Sequence, residues 1–127
     1  MAFQTIATCY FDKKFKKLTK KDGLLKERTI RKIQAISIDP EIGEPKRHDL
    51  LGLRSLHIDP FVIIYAIIKD VILLINFDEH DETYDATPSI LNSLLSDPMT
   101  IEVLLNAGIT TEEYLQFMKS LRKKKMR

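Results

Sequence analysis

The chain predicts an α+β fold: an N-terminal strand, a helical hairpin, a three-stranded antiparallel meander and then two to three C-terminal helices. Three observations carry that expectation. Two apolar runs, residues 61–68 and 71–77, are separated only by Lys69-Asp70; each has strand length and is apolar on both faces. Upstream, Phe11, Phe15 and Leu18 recur at helical spacing among lysines, and Asp22-Gly23 divides that segment from a second helical pattern. Downstream of Tyr84, three short helical patterns follow one another with their own start and stop residues.

Taken in order, residues 3–11 are rich in β-formers (Thr5, Ile6, Thr8, Tyr10) and predict the first strand. Asp12 is placed to cap the first helix, and Lys13, Lys14, Lys16, Lys17, Lys20 and Lys21 decorate its outer sides. The second helix, residues 24–38, carries Ile30, Ile33 and Ile36 as its inner stripe. Residues 39–45 hold two prolines and a glycine and predict a loop. Residues 53–58, 61–68 and 71–77 predict the meander. Because the last two strands are apolar throughout, the hairpin can cover only one face of the sheet, and something else must cover the other. Thr87-Pro88 marks a boundary, dividing a domain of residues 1–86 from a helical extension of residues 87–127 packed on it. Within the extension, Gly108 suits a left-handed cap, and Thr110 or Thr111 with Glu112 and Glu113 suits a helix start. Tyr114, Phe117, Met118 and Leu121 give the last helix one apolar face.

Composition narrows the class. At 127 residues and 44% apolar content, one domain with a real core is expected. A single cysteine, Cys9, forms no intramolecular disulfide, and the N-terminus lacks the basic-then-apolar order of a signal peptide; both fit the cytoplasm. The most apolar stretch is interrupted by Lys69-Asp70 and is short for a membrane span. Net charge is +2, but residues 12–32 hold ten basic side chains against three acidic ones, and residues 119–127 hold six basic and no acidic. Such asymmetry implies a basic surface, either simply solvated or facing a polyanion.

All three histidines, His48, His57 and His80, fall within residues 48–84. Histidine can take or give a proton near neutral pH, so a convergent pair could serve as general base and general acid. Strand alternation puts Ser55 and His57 on one face, with Leu56 and Ile58 on the other, so His57 need not be a core residue. If Asn76 and Asp78 share a face of the last strand, His80 continues it and meets His57. Nothing in the histidine spacing favours a zinc site.

Several local patterns resemble the RelE/ParE superfamily of toxins from toxin–antitoxin systems, over roughly residues 3–84. Tyr10-Phe11-Asp12-Lys13-Lys14-Phe15-Lys16-Lys17-Leu18 is similar to the family's first strand running into a lysine-rich helix. Leu50-Leu51-Gly52-Leu53-Arg54-Ser55-Leu56-His57-Ile58 resembles the Leu-x-Gly and Arg-x-x-His-Ile segment of the YafQ branch. Ile63-Ile64-Tyr65 matches its strand core, and His80-Asp81-Glu82-Thr83-Tyr84 its closing His-x-x-x-aromatic motif.

The resemblance implies a metal- and cofactor-independent endoribonuclease that cuts messenger RNA on the ribosome, by attack of the ribose 2′-oxygen on the adjoining phosphate. It implies His57, His80 and His48 as catalytic residues and Tyr84 as a base-stacking aromatic. Arg54 is a candidate phosphate contact, and Lys13, Lys17 and Lys20 are candidates to hold ribosomal RNA. A cognate antitoxin is the implied partner. The C-terminal helices would act as a lid on the RNA-facing side of the sheet or as a homodimer contact. An alternative stays open: a non-enzymatic relative, either a gyrase-inhibiting toxin or an inactive binding protein. It is prompted by Val62, which stands where the wider superfamily commonly carries an arginine, and by Asp78, Glu79, Asp81, Glu82 and Asp85 around His80.

Overall fold

Residues 2–125 are described by a computed structural model, in which one five-stranded sheet lies between two helical layers. The basic tail from Arg122 was expected to be solvated or to meet RNA; its side chains, and residues 126–127 altogether, lie outside the described part. The elements are β1 (Gln4–Ala7), α1 (Cys9–Thr19), α2 (Gly23–Ile38), β2 (Glu44–Pro45), β3 (Arg54–Ile58), β4 (Phe61–Ile68), β5 (Val71–Glu79), α3 (His80–Leu94), α4 (Pro98–Asn106) and α5 (Thr111–Lys125). Short 3₁₀ turns at Pro40–Ile42 and His48–Leu50 flank β2.

The sheet order is β1-β5-β4-β3-β2, with β1 parallel to β5 and every other pair antiparallel. β4 and β5 sit in the middle, and their side chains from Val62 to Ala66 and from Val71 to Phe77 are buried. One face packs Ile58, Ile63, Tyr65, Ile72, Leu74 and Phe77 against Phe11, Leu25 and Ile36 of the α1–α2 hairpin. The other face packs Val62, Ile64, Ala66, Leu73 and Ile75 against Leu94, Leu104, Ile109, Tyr114, Met118 and Leu121. The C-terminal helices are thus the second cover that the apolar strands require.

Where the structure departs from expectation, a local competitor explains it. The first strand stops at Ala7 because Thr8, not Asp12, caps α1. Its hydroxyl accepts from the Phe11 amide at 3.2 Å and donates to the Ile75 carbonyl at 3.0 Å, tying the helix start to the central strand. In α2 the inward residues are Leu25, Thr29 and Ile36, while Ile30 is exposed. The Thr29 hydroxyl donates to the Leu25 carbonyl at 2.8 Å, which lets a small polar residue take an inward position. The expected boundary at Thr87-Pro88 lies inside α3, so the division placed at residue 86 falls within a continuous helix. The Thr83 and Thr87 hydroxyls donate to carbonyls four residues back, at 2.8 and 2.6 Å, along the turns around Pro88.

Two fastenings hold the C-terminal layer. The buried Tyr114 hydroxyl donates to the Leu94 carbonyl at 2.6 Å. At the start of α5, Thr110 and Glu113 form a reciprocal capping pair, and Glu113 also accepts from Lys69 Nζ, in the β4–β5 turn, at 2.6 Å. These bonds from Lys69 and Thr110 hold the Glu113 carboxyl down at about 2, against an ordinary 4.5. At its other end α5 lays Leu121 on Gly52, a left-handed glycine where a Cβ would collide with the leucine side chain.

Leu104 is completely buried in this layer, and Leu104→Ala should lower stability by about 2–5 kcal/mol in urea unfolding. The depressed Glu113 carboxyl contributes stability above pH 4.5 that is lost as pH falls through about 2. Glu113→Gln should therefore lower Tm at neutral pH, by a modest amount because the pair is exposed, and the gap from wild type should close between pH 4.5 and about 2.

Candidate functional site

The two histidines of the meander are brought together by three local features. His57 is the outward residue near the end of β3, cross-strand from Val62. In β5 the register slips between Ile64 and Tyr65, where Ile75 is an extra residue. Beyond that bulge Asn76 and Asp78 pair with Ile64 and Val62, on the face covered by α3–α5. The chain then turns directly into α3, whose first residue is His80, and the His80 amide donates to the Pro60 carbonyl in the β3–β4 turn at 3.1 Å.

The outcome is a stacked pair of imidazoles, His57 and His80, with ring centres 5.7 Å apart and planes 28° apart. Tyr84, one helical turn after His80, meets its ring edge-to-face at 4.7 Å. His80 Nδ1 lies 2.9 Å from an Asp81 carboxylate oxygen. A proton on Nδ1 would donate to Asp81 and leave Nε2 free to accept or deliver another.

The residue missing from the sequence reading is Lys46. It follows β2 and bonds by its amide to the Leu53 carbonyl. Its ammonium sits 4.9 Å over the centre of the Tyr84 ring and pairs with Glu44 at 2.9 Å. Burial pulls the Lys46 pKa down, but attraction to Glu44 and Tyr84 outweighs it and the net direction is up. The Glu44 carboxyl is held low by its hydrogen bond to Lys46 and by that charge, with smaller help from His57 and Arg47. A fixed cation therefore stands beside the histidine pair. A lone lysine in a proline-bounded loop carries no sequence signal; its pairing with β3, which faces it across the loop, is what placed it here.

Other expected site residues are arranged differently. His48 lies in the 3₁₀ turn with φ of 57° and is exposed. Among the described residues no ring contact joins it to His57 or His80; it lines a groove of about 760 Å³ with Glu44, Pro45, Lys46, Arg47 and Leu51. Tyr84 carries Lys46 over one face and His80 at the ring, so the free stacking platform expected of it is partly occupied. Arg54 donates to the carbonyls of Gly43 at 2.7 Å and Glu41 at 3.1 Å, on the opposite side of β3 from His57. Tyr65 helps there: its hydroxyl donates to the Pro40 carbonyl at 2.6 Å and accepts from the Gly43 amide at 3.0 Å. Both side chains brace the loop that presents Lys46.

Lys13 and Lys17 sit on α1 and Lys20 caps its C-terminal end, away from these ring contacts. Lys13 lines a cleft of about 480 Å³ whose other wall includes Glu82 and Asp85. The acidic group around His80 is thereby divided. Asp78 is buried and paired with Lys14 at 2.8 Å, whereas Glu82 and Asp85 face the cleft and not the histidines. Among the described residues no group of three histidine, cysteine or acidic side chains gathers closely enough to hold a metal ion. Nor, among those residues, is any helix long and apolar enough to cross a membrane.

Comparison with known proteins supplies the class. Residues 8–84 match the family described as the ParE toxin of the type II toxin–antitoxin system parDE, so the chain belongs to that toxin family, within the RelE/ParE superfamily. It is 29% identical over 76 residues, 58% of this chain and 81% of the relative, to the Methanocaldococcus jannaschii protein named "Putative toxin RelE4". Two solved structures share the fold. The RelBE2 toxin–antitoxin complex from Mycobacterium tuberculosis matches with a TM-score of 0.54 at 15% identity, over 63% of this chain and all of that one. The YoeB/ParE toxin from Agrobacterium tumefaciens matches with a TM-score of 0.55 at 18% identity, over 61% of this chain and 98% of that one.

The brace on the Lys46 loop is testable. Tyr65→Phe removes a buried hydroxyl with two loop partners and should cost about 1–3 kcal/mol; amide exchange at Gly43 should accelerate well beyond the change in the β4–β5 core.

Proposed function

We propose that this toxin is a metal-independent endoribonuclease of the YafQ-like branch that cuts messenger RNA on the ribosome, with a cognate antitoxin as its inhibitor. The observation that carries the reading is the stacked His57–His80 pair, 5.7 Å apart and open at the rim of the sheet, with a fixed ammonium nearby. In the proposed reaction one histidine takes the proton of a ribose 2′-hydroxyl. The 2′-oxygen then attacks the adjoining phosphorus, and the other histidine gives its proton to the departing 5′-oxygen. The products are a 2′,3′-cyclic phosphate and a free 5′-hydroxyl, with protons and electron pairs balanced. Lys46 is the group best placed to stabilise the charge that builds on the phosphorane oxygens, the task the superfamily arginine would perform where Val62 stands. Asp81 orients His80, His48 contributes from the adjoining groove, and Tyr84 holds both Lys46 and His80 in place. Lys17 on α1 and Lys20 at its C-terminal end are exposed and serve as phosphate contacts with ribosomal RNA.

A second reading, a gyrase-directed or inactive relative, is favoured by one specific observation. Val62 is completely buried beneath the C-terminal layer, so no side chain at that position reaches the rim.

The test is cleavage of messenger RNA with translating ribosomes, mapped by primer extension. Wild type should give cuts, His57→Ala/His80→Ala none, and Lys46→Met a rate reduced about 10²–10³-fold with unchanged cut positions. Folded wild type that leaves RNA intact yet blocks gyrase supercoiling would move the assignment to the second reading.

A further inference from the structure

The loop that presents Lys46 is held from two sides. On one side Arg54 and Tyr65 brace it at Pro40, Glu41 and Gly43. Beyond Lys46 the chain closes on itself. The Lys46 amide donates to the Leu53 carbonyl at 2.9 Å, and the Leu50, Leu51 and Leu53 amides donate to the carbonyls of Arg47, His48 and Leu50 at 3.2, 3.1 and 3.0 Å. Residues 46–53 are therefore one tightly turned unit. Its apolar side belongs to the C-terminal layer, where Leu50 and Leu53 share a core with Met118 and Leu121. The closest fit is at Gly52. Its φ of 98° suits glycine, and Leu121 fills the space where a Cβ would stand. α5 lies outside residues 8–84, the part that matches the toxin family, so this second support is an addition to that part of the chain.

We propose that Leu121 of α5 is a positioning residue of the site: seated on Gly52, it fixes the 46–53 loop and so holds the Lys46 ammonium against Tyr84, beside the His57–His80 pair. The consequence for catalysis rests on the ribonuclease reading; the consequence for the loop does not. Packed side chains transmit displacement, because a gap of 0.5–1 Å forfeits about a quarter to a half of the attraction between facing atoms. With Leu121 shortened, the loop keeps its own hydrogen bonds and the β2–β3 pairing but loses the wall against which Gly52 is set. Glu44 precedes Lys46 by two residues and moves with it. The Tyr84 contact joins the loop to α3 through a single cation, too weak a tie to hold the loop against that freedom. The C-terminal extension thus has a task beyond covering the sheet. It supports activity, where a lid would suppress it.

The experiment compares full-length Leu121→Ala with Leu104→Ala, which empties the same core from α4, at a position that does not meet Gly52. Both are measured at a temperature where each is folded. Two readouts need no RNA. Amide exchange at Leu50, Leu51 and Leu53, relative to the β4–β5 core, should rise about tenfold or more in Leu121→Ala and less than about twofold in Leu104→Ala. The Lys46 side-chain proton resonances, shifted by the Tyr84 ring, should lose that shift only in Leu121→Ala. The third readout is messenger RNA cleavage with translating ribosomes. Leu121→Ala should cut about 10–10²-fold more slowly at unchanged positions, and Leu104→Ala within about twofold of wild type. Leu121→Met, which restores the volume, should recover most of the loss. Loop exchange and Lys46 resonances that respond equally to the two alanine changes would overturn the proposal. So would cleavage slowed equally by both, which would make Leu121 a stabilising residue alone, or cleavage raised by Leu121→Ala, the mark of a lid. A wild type that cuts nothing, with Lys46 resonances that still depend on Leu121, sinks the nuclease and leaves the positioning of Lys46. Wild-type cleavage untouched by Leu121→Ala sinks the positioning and leaves the nuclease.

Discussion

A central strand with the sequence Phe-Val-Ile-Ile-Tyr-Ala-Ile-Ile cannot present a wet face, and the architecture follows from that. Burying a large aliphatic side chain is worth about 1.5–3 kcal/mol, so leaving either side of β4 and β5 exposed would forfeit many such contributions. The hairpin satisfies one side. The other side is satisfied by α3–α5, which are therefore part of the hydrophobic core and not an appendage. Leu94, Leu104, Tyr114, Met118 and Leu121 face the sheet, whereas Met99, Val103 and Leu105 of α4 are exposed. With both broad faces filled, the histidine pair lies at the rim, where β3 ends and α3 begins. The C-terminal layer consequently does not roof the histidine pair; it abolishes the open sheet face and leaves an edge.

At that edge, charge is sorted by secondary structure. His80 and Tyr84 share one side of α3 because they are four residues apart, whereas Glu82 and Asp85 turn toward the cleft beneath α1. Lys14 neutralises Asp78 across that cleft. Of the acidic residues near His80 in sequence, Asp78, Glu82 and Asp85 are thus directed to the α1 cleft, while Asp81 holds its Nδ1. Lys46 has a matching economy of contacts: Glu44 and Tyr84 hold the partly buried ammonium, and their attraction outweighs the burial, so it keeps its charge.

Much of this was legible in the sequence. β4 falls where its pattern puts it, since an uninterrupted apolar run has few competitors. The need for a second cover was also legible, because both faces of a run such as Val62–Ala66 are visible in its composition. What hid itself depends on pairing across distance. β2 is two residues long and exists only by bonding to β3. Lys46 has meaning only through Tyr84, nearly forty positions away. The usual stop signal at Pro88 does not end α3, which runs on from His80 to Leu94. Thr8 outcompeted Asp12 as a cap because it also reaches Ile75, a partner that no local pattern reveals.

Ile75 itself sets a constraint of a different kind. As the surplus residue of a bulge, it inverts the inside-outside parity of β5 halfway along the strand. Before it, Ile72 and Leu74 face the hairpin; after it, Phe77 does, while Asn76 and Asp78 face the C-terminal layer. Were the bulge to close with every residue kept, Phe77 would land among the C-terminal helices, Asp78 would enter the hairpin core, and His80 would be swung off its partner. The bulge, and not strand alternation alone, therefore decides which side chains in the second half of β5 meet which helical layer.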